Sequence, residues 1–282
     1  MQPFPGDLPH DFAIALGRRA ERLGGFASRV EWYELVSSTN DVADRIAAAG
    51  GTHGTVVSAE SQEKGRGRLG RTWHSPPGAG LYVSVVLRPV EVFGRAAVDS
   101  LSGASWITLT AGVALAEALR CATGLAATIK WPNDLVVGGR KVCGILAEAS
   151  TVGGELRHIV LGFGVNVLAS SYPLEIADRA TSVEAELGRS ADGAELFGES
   201  LACLAERLRQ LATGGFDAIL DTWRALSPTS RGSRVETASA GGWAQAVTAG
   251  IDLDGALLVR AGDTVRRVVA GEVRWLSDGS RL

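Results

Sequence analysis

The stretch Gly65-Arg66-Gly67-Arg68-Leu69-Gly70-Arg71-Thr72-Trp73 alternates glycine with arginine and ends in an aromatic residue. Glycine adopts backbone angles that are closed to other residues, so amides in such a loop can turn toward one anion. Each arginine fork can bond two oxygens at once. Ordering a loop costs about 1 to 2 kcal/mol per residue in backbone entropy, and like charges repel. This stretch, the Gly-Arg loop, is therefore predicted to be loose alone and to close over a phosphate.

Two other interpretations of the Gly-Arg loop are open from its letters alone. Its first six residues satisfy the dinucleotide fingerprint G-x-G-x-x-G, which is a weak signal without its context. That fingerprint opens directly into a helix, whereas His74-Ser75-Pro76-Pro77-Gly78 follows the loop and disfavours helix. A solvated basic loop without a ligand is the second alternative, and the spaced glycines and Trp73 count against it. No lysine stands where a P-loop hydrolase needs one.

Length and composition exclude several classes of protein. A chain of 282 residues can build one large core, or a core and a small second domain. The net charge of -3 argues against a protein whose main work is to grip nucleic acid. The 3 cysteines and 4 histidines show no disulfide or metal spacing, and we expect the cysteines to be reduced, buried packing residues. No apolar run reaches about 18 residues and no secretory start is present, which predicts a cytoplasmic protein.

The N-terminal segment predicts a single helix, Asp11 to Leu23, with Arg18, Arg19 and Arg22 on its exposed side. A strand from Val30 to Val36 follows. A winged DNA-binding module would need roughly three helices and a hairpin, and the segment has no room for them. We therefore expect no direct binding to operator DNA.

Polar residues at the start of the next helix exceed what capping needs. The run Ser37-Ser38-Thr39-Asn40-Asp41 opens a helix that Gly50 ends. One small polar side chain satisfies an N-cap, so the surplus hydroxyl and amide groups could face a cleft and bond a polar ligand. Simple capping is the alternative. A buried strand, Thr55 to Ser61, then delivers Gln62 and the Gly-Arg loop at its C-terminal end.

A second functional stretch is Thr128-Ile129-Lys130-Trp131-Pro132-Asn133-Asp134. Pro132 restricts Trp131 to an extended shape and ends the strand, so Lys130 is held at a strand end. After it, Gly138-Gly139 between two apolar runs predicts a hairpin.

The next predicted strand, Leu156 to Val167, carries Gly162, Gly164 and Asn166. The two glycines leave room for a ligand beside the sheet. Asn166 is either a ligand contact or a strand-end turn residue.

The composition changes after Leu226. Before that point the pattern predicts strands and helices, among them the helices Leu101 to Thr123, with Trp106 in the core, and Ala194 to Leu211. After it, five short strands with Gly and Asp turns predict a small barrel. We therefore divide the chain into domains 1–226 and 227–282.

Several ordered motifs together resemble the biotin protein ligase family. They are Ser38-Thr39-Asn40, Gln62 before Gly-Arg-Gly-Arg, Trp73, Lys130-Trp131-Pro132-Asn133-Asp134, Arg140-Lys141-Val142-Cys143-Gly144-Ile145-Leu146 and Gly162-Phe163-Gly164-Val165-Asn166. The match extends from about Val30 to the end, because Gly250-Ile251-Asp252 with Gly255-Ala256-Leu257-Leu258 is similar to the SH3-like C-terminal domain of that family. The resemblance implies an α+β fold, with a catalytic domain that has a mixed sheet flanked by helices, of the class II synthetase type, followed by the SH3-like barrel.

The resemblance implies an enzyme with two half-reactions. Biotin and ATP give biotinyl-adenylate and pyrophosphate, and a lysine of a biotin carboxyl carrier domain of acetyl-CoA carboxylase or a related carboxylase then takes the biotinyl group. The first step brings two anions together while charge builds on pyrophosphate. Lys130, Arg66, Arg68 and a Mg²⁺ ion would supply the compensation, although the sequence shows no protein metal site.

The resemblance also implies roles for individual residues. Biotin would be bound by Ser38, Thr39, Asn40, Gln62, Arg66, Gly67, Arg68 and Lys130. The nucleotide would be bound by Arg66, Arg68, Arg71, Trp73, Lys130 and Asn166. The catalytic roles would fall to Lys130 and Arg68. The base for the acceptor lysine is not identified, because Asp134 and desolvation beside Lys130 are both possible.

Two rival functions stay open. A lipoate or octanoate ligase or transferase shares the catalytic fold, although the Gly-Arg loop with Lys130-Trp131-Pro132-Asn133-Asp134 favours biotin. A non-catalytic nucleotide or RNA binder is the rival of another class, and the acidic balance counts against it. We expect no nucleic-acid or membrane partner.

Overall fold

A seven-stranded mixed sheet forms the centre of the larger part of the chain. The computed structural model describes residues 4–94, 100–239, 242–269 and 273–276. The strands of this sheet are β1 (Val30–Val36), β2 (Val56–Gln62), β3 (Gly80–Leu87), β4 (Thr128–Lys130), β5 (Asp134–Val137), β6 (Arg140–Val152) and β7 (Glu155–Asn166). Their order is β1-β2-β3-β7-β6-β5-β4, with β1 and β2 parallel and the other neighbours antiparallel. The expected mixed sheet is confirmed.

Helices cover both faces of this sheet. They are α1 (His10–Gly17), α2 (Ala20–Leu23), α3 (Thr39–Ala48), α4 (Pro89–Phe93), α5 (Ser100–Thr123), α6 (Val183–Leu187), α7 (Gly193–Ala212) and α8 (Phe216–Leu226). Successive residues of a strand point to opposite faces. Accordingly, Val85 of β3 packs in the core under α5 and α7, whereas its neighbour Val86 packs in the core under α3. Within the described ranges, no helix is both long and apolar enough to cross a membrane.

The N-terminal segment differs from the single helix expected for it. The chain forms α1 and α2 with a break between them, and Arg19 at that break is buried rather than exposed. A buried charge requires partners. Nε of Arg19 donates to Oε2 of Glu199 on α7 at 2.7 Å, and its guanidinium also pairs with Glu195. Arg18 is exposed as expected.

A second sheet follows α8. Its strands are β8 (Arg231–Ser239), β9 (Gly242–Ile251), β10 (Leu257–Ala261), β11 (Thr264–Val268) and β12 (Val273–Trp275), in the antiparallel order β11-β10-β9-β8-β12. The expected five strands are confirmed, and they fit an SH3-like domain. Closure into a barrel is not observed, because the described residues of β11 and β12 do not pair. The domain boundary after Leu226 stays a prediction.

The second sheet contacts the stretch that follows β4. Nε1 of Trp131 donates to the carbonyl oxygen of Gly255 at 2.9 Å, and the contact is buried. Gly255 has a φ of +79°, and a β-carbon there would lie 2.7 Å from Leu109 on α5. A larger residue would therefore be strained at this junction.

The cysteines are free, but only two of them have the expected packing role. Cys143 and Cys203 are buried, whereas Cys121 near the end of α5 is exposed. Trp106 on the same helix lies in the core, as predicted.

Candidate active site

A cavity opens between the start of α3, the Gly-Arg loop and strands β6 and β7. Its empty space, including the part open to solvent, is about 770 Å³, which is within the range of small-molecule sites. Of the predicted site residues, its wall contains Ser38, Thr39, Asn40, Gln62, Arg66, Gly67, Arg68, Arg71 and Trp73. The fold therefore brings together residues that are far apart in sequence.

One end of the cavity is polar and uncharged. Ser38 is the N-cap residue of α3, but its side chain makes no capping hydrogen bond. Oε1 of Gln62 accepts from the backbone N–H of Thr39 at 2.9 Å. Asn40 is buried against β7, where a β-carbon at Gly162 would overlap its amide. The surplus of polar residues over one cap is thus explained, because their side chains form this end of the cavity.

The other end of the cavity is charged. Nζ of Lys141 on β6 lies 2.6 Å from Oδ1 of Asp134, and both residues line the cavity beside Arg68. Burial lowers the pKa of Arg68, an effect that the charge of Asp134 opposes. Asp134 is the only carboxylate among the described residues of the wall. The balance at this end is therefore cationic, which suits a phosphate or a carboxylate.

Trp73 lies over the two glycine-bearing strands of the cavity wall. A β-carbon at Gly164 would lie 2.5 Å from its ring, and one at Gly144 would lie 2.8 Å from it. The amine of Lys141 is 5.1 Å from the ring centroid, which is a cation–π distance. Nε1 of Trp73 is buried and has no hydrogen-bond partner among the described residues. The indole N–H is therefore a donor that a ligand could use.

The Gly-Arg loop is folded as a short hairpin. Arg66 and Thr72 form an antiparallel bridge, and the backbone N–H of Gly67 donates to Arg71 at 2.7 Å. Leu69 at the tip has a left-handed φ of 57°. Most of the arginine side chains stay accessible, since Arg66 and Arg71 are exposed and Arg68 is half-buried. The loop is placed to face a ligand, and its predicted mobility stays a prediction.

Two predicted site residues do not line this cavity. The amine of Lys130 lies 5.7 Å from the ring centroid of Trp275 in the second sheet. Burial lowers the pKa of Lys130, with Asp134 opposing the shift and Lys141 adding to it. Asn166 is buried, and its Nδ2 donates to the carbonyl oxygen of Thr181 at 2.9 Å. Its side chain is thus engaged in joining β7 to the segment before α6.

Lys141 takes the position in the cavity that the sequence suggested for Lys130. Lys141 stands within the Arg140-Lys141-Val142-Cys143-Gly144-Ile145-Leu146 motif, but the sequence alone does not indicate a role for it. Ser84 is a second missed residue, and it is fully buried beside Thr39 and Asn40. A hydroxyl in the middle of the otherwise apolar sequence of β3 was the available signal.

The cavity fits a magnesium ion only together with phosphate oxygens. Mg²⁺ is commonly held by one or two carboxylates and the phosphates of its substrate. Asp134 supplies one carboxylate in the wall, and the described residues contain no cluster of three or more His, Cys, Asp or Glu side chains able to hold a metal. Asp134 is therefore the residue that would contact such an ion.

Comparisons with known proteins agree with this fold. The model of the biotin/lipoate A/B protein ligase family matches residues 32–166. The bifunctional ligase/repressor BirA of Bacillus spizizenii is 31% identical over 271 residues, which cover 95% of this chain and 79% of that protein. The biotin--[acetyl-CoA-carboxylase] ligase of Paracoccus denitrificans is 36% identical over 245 residues, covering 84% and 96%. The structure of biotin protein ligase from Aquifex aeolicus in complex with biotin and ATP has a TM-score of 0.73 and 28% identity, covering 88% and 99%.

The fold and the cavity define a class of protein, and the chain belongs to the biotin/lipoate A/B protein ligase family. Within that family, the proteins named biotin ligases match this chain over most of the chain's length. The resemblance to the biotin protein ligases and the expectation of a ligase enzyme are therefore confirmed.

Proposed function

We propose that this chain activates biotin with ATP as biotinyl-5'-AMP and transfers the biotinyl group to a lysine of a biotin carboxyl carrier protein or domain. The observation that supports the proposal most directly is the two-ended cavity. A cyclic urea suits the uncharged end at Thr39, Asn40 and Gln62, and a carboxylate meeting a phosphate suits the cationic end at Arg68 and Lys141. The complex of the Aquifex aeolicus ligase with biotin and ATP supports ATP as the second substrate.

The first step follows from the charges at the cationic end. A carboxylate oxygen of biotin attacks the α-phosphorus of ATP, the bond to the bridging oxygen breaks, and its electron pair leaves with pyrophosphate. Arg68 and Lys141 would offset the charge of the two anions and orient the attacking oxygen. A Mg²⁺ ion contacting Asp134 would neutralise phosphate charge. Lys130 does not line the cavity, so in this proposal it acts on the substrates only indirectly, through the electrostatic interaction of its amine with Asp134.

Trp73, Arg66 and Arg71 would complete the nucleotide side of the site. The ring of Trp73 can cover a base or the loop, and the exposed arginines can reach phosphate oxygens. Asn166 stays a proposed nucleotide contact only through its place at the end of β7, two residues beyond Gly164 of the cavity wall. Closure of the Gly-Arg loop would also keep water from the mixed anhydride.

The second step needs a neutral acceptor amine. Asp134 is a poor free base, because Nζ of Lys141 lies 2.6 Å from its Oδ1. We therefore favour loss of the proton on desolvation, as the acceptor lysine enters a site that is already cationic. The amine then attacks the acyl carbon, and AMP leaves with the electron pair of the broken bond.

The exchange of labelled pyrophosphate into ATP tests the proposal. The assay is run with biotin, lipoate or octanoate added singly. We expect exchange with biotin alone, followed by biotinylation of a carrier domain when one is supplied. Exchange with lipoate or octanoate alone would assign the site to the rival branch of the family, and no exchange with any acid would favour a binding protein.

A further inference from the structure

Glu148 on β6 connects the uncharged end of the cavity with the Gly-Arg loop. Its Oε2 accepts a hydrogen bond from Nδ2 of Asn40 at 2.6 Å and another from the guanidinium of Arg66 at 2.9 Å. On the other side of the amide, Oδ1 of Asn40 accepts from the hydroxyl of Ser84 at 2.5 Å. The Ser84 hydroxyl is in turn 2.8 Å from that of Thr39. One hydrogen-bonded row therefore runs from Glu148 to Thr39, and the Thr39 hydroxyl continues it to Oε1 of Gln62 at 3.1 Å.

The hydrogen bonds of such a row can point in either of two directions, depending on which group of each pair is the donor. In the first arrangement, Ser84 donates to Oδ1 of Asn40, and the Thr39 hydroxyl donates to Ser84 or to Oε1 of Gln62, which accepts in either arrangement. In the second, the Asn40 amide is turned over, so its nitrogen donates to Ser84, which donates to Thr39. The two arrangements differ only in hydrogen positions and in the oxygen and nitrogen of one amide, so the partners at the end of the row decide between them.

The carboxylate at the end of the row selects the first arrangement. A carboxylate only accepts hydrogen bonds, so turning Asn40 over would place Oδ1 against Oε2 of Glu148. Both groups are in contact range, and Asn40 is buried, which makes the unsatisfied pair costly. In the selected arrangement the hydroxyl of Thr39 accepts nothing from Ser84. Its lone pairs are then free to accept an N–H from a ligand in the cavity.

We propose that Glu148 is a positioning residue that fixes the direction of the hydrogen bonds among Asn40, Ser84 and Thr39, which we call the cavity floor. The floor is thereby adapted to a ligand head that offers N–H donors, as a cyclic urea does. The inference rests on the proposed function for its choice of ligand. Glu148 itself is not in the cavity wall. It acts on the ligand through Asn40, Ser84 and Thr39.

The test compares Glu148→Gln with Asp41→Asn. Glutamine has nearly the same shape as glutamate, but its amide can donate or accept, so both arrangements of the row become available. Asp41 is the second carboxylate on Arg66, at 2.9 Å, and among the described residues its side chain is not hydrogen-bonded to Asn40. Asp41→Asn therefore matches the loss of charge beside the loop and leaves the row intact.

In biotin-dependent pyrophosphate exchange, we expect Glu148→Gln to raise the KM for biotin about tenfold, the upper end for loss of one hydrogen bond between neutral groups. The KM for ATP and kcat should change much less. Asp41→Asn should leave the KM for biotin within about twofold of the parent, as expected for an exposed ion pair. Equal effects of the two substitutions would overturn the inference, because Glu148 would then act only through Arg66.

Ser84→Ala provides an independent check of the path. It breaks the row in the middle, so adding Glu148→Gln to it should raise the KM for biotin little further. Effects that add in the double variant would also overturn the inference. A parent enzyme that shows no biotin-dependent exchange would overturn the proposed function, and the inference with it. If the parent is active but the variants have its KM for biotin, only the inference is overturned.

Discussion

Arginine–glutamate pairs hold two regions of this molecule, and the regions differ in burial. Where α1 and α2 meet α7, the side chains of Arg19 and Glu199 are 9% and 7% exposed and lie 2.7 Å apart. At the Gly-Arg loop, the side chains of Arg66 and Glu148 are 41% and 38% exposed and lie 2.9 Å apart. A buried ion that loses its partner is costly, whereas an exposed one is rehydrated. The first pair therefore fixes structure, and the second can exchange its partner for a ligand phosphate.

The buried pair also has a defined response to acid. Burial raises the pKa of Glu199, but hydrogen bonds from Arg19 and Arg22 outweigh it and hold the pKa below its ordinary value. Between the folded and the unfolded pKa of Glu199, the folded state consequently binds fewer protons than the unfolded state. The stabilisation is present above the unfolded pKa of the carboxyl group, and it is lost as the pH falls through the folded pKa.

Breaking the buried pair should give the largest effect. Glu199→Ala leaves Arg19 buried with fewer partners, and we expect the free energy of unfolding to fall by about 3 to 5 kcal/mol. Urea denaturation followed by circular dichroism measures it. Glu206→Ala is the matched control, because Glu206 is 42% exposed and its one ion pair within the described part of the chain is with the partly exposed Arg22. Its expected cost is at most about 1 kcal/mol. Equal costs for the two variants would show that burial does not distinguish these pairs.

Removing the charge from the cavity should lower the rate and leave stability nearly unchanged. Lys141→Ala should reduce kcat for pyrophosphate exchange by about 10² to 10³, the usual loss for one group that stabilises developing charge. Lys130→Ala should cost less, because Lys130 acts from outside the cavity wall. Steady-state exchange rates with both variants decide the point. A greater loss from Lys130→Ala would return the main catalytic role to Lys130.

The sequence predicted the elements better than the direction of individual side chains. The surplus of Ser38, Thr39 and Asn40 over one helix cap led to the correct cavity wall. Lys141 was missed because β5 and β6 pair with an irregular register between Leu135 and Val136. A shift of one residue turns a strand side chain to the other face, so the local pattern does not show whether Lys141 faces the cavity.

Arg19 was misplaced for a related reason. Helical periodicity put Arg18 and Arg19 on one exposed face, but the chain breaks between α1 and α2 and the helical phase is lost there. The acidic partner, Glu199, lies 180 residues further along the chain. A contact of that kind exists only after α7 has packed against the N-terminal helices, so no local pattern contains it.

Breaking the exposed pair should give the smallest change in stability. Arg66→Ala removes contacts to Asp41 and Glu148, but all three side chains are more than a third exposed, so water replaces what is lost. We expect the free energy of unfolding to change by less than about 1 kcal/mol in urea denaturation. Asn40 keeps its own hydrogen bond to Glu148, so the cavity floor should survive the substitution. A cost near that of Glu199→Ala would mean that the Gly-Arg loop is part of the stable fold, and exchange of Arg66 between carboxylate and phosphate would then be slow.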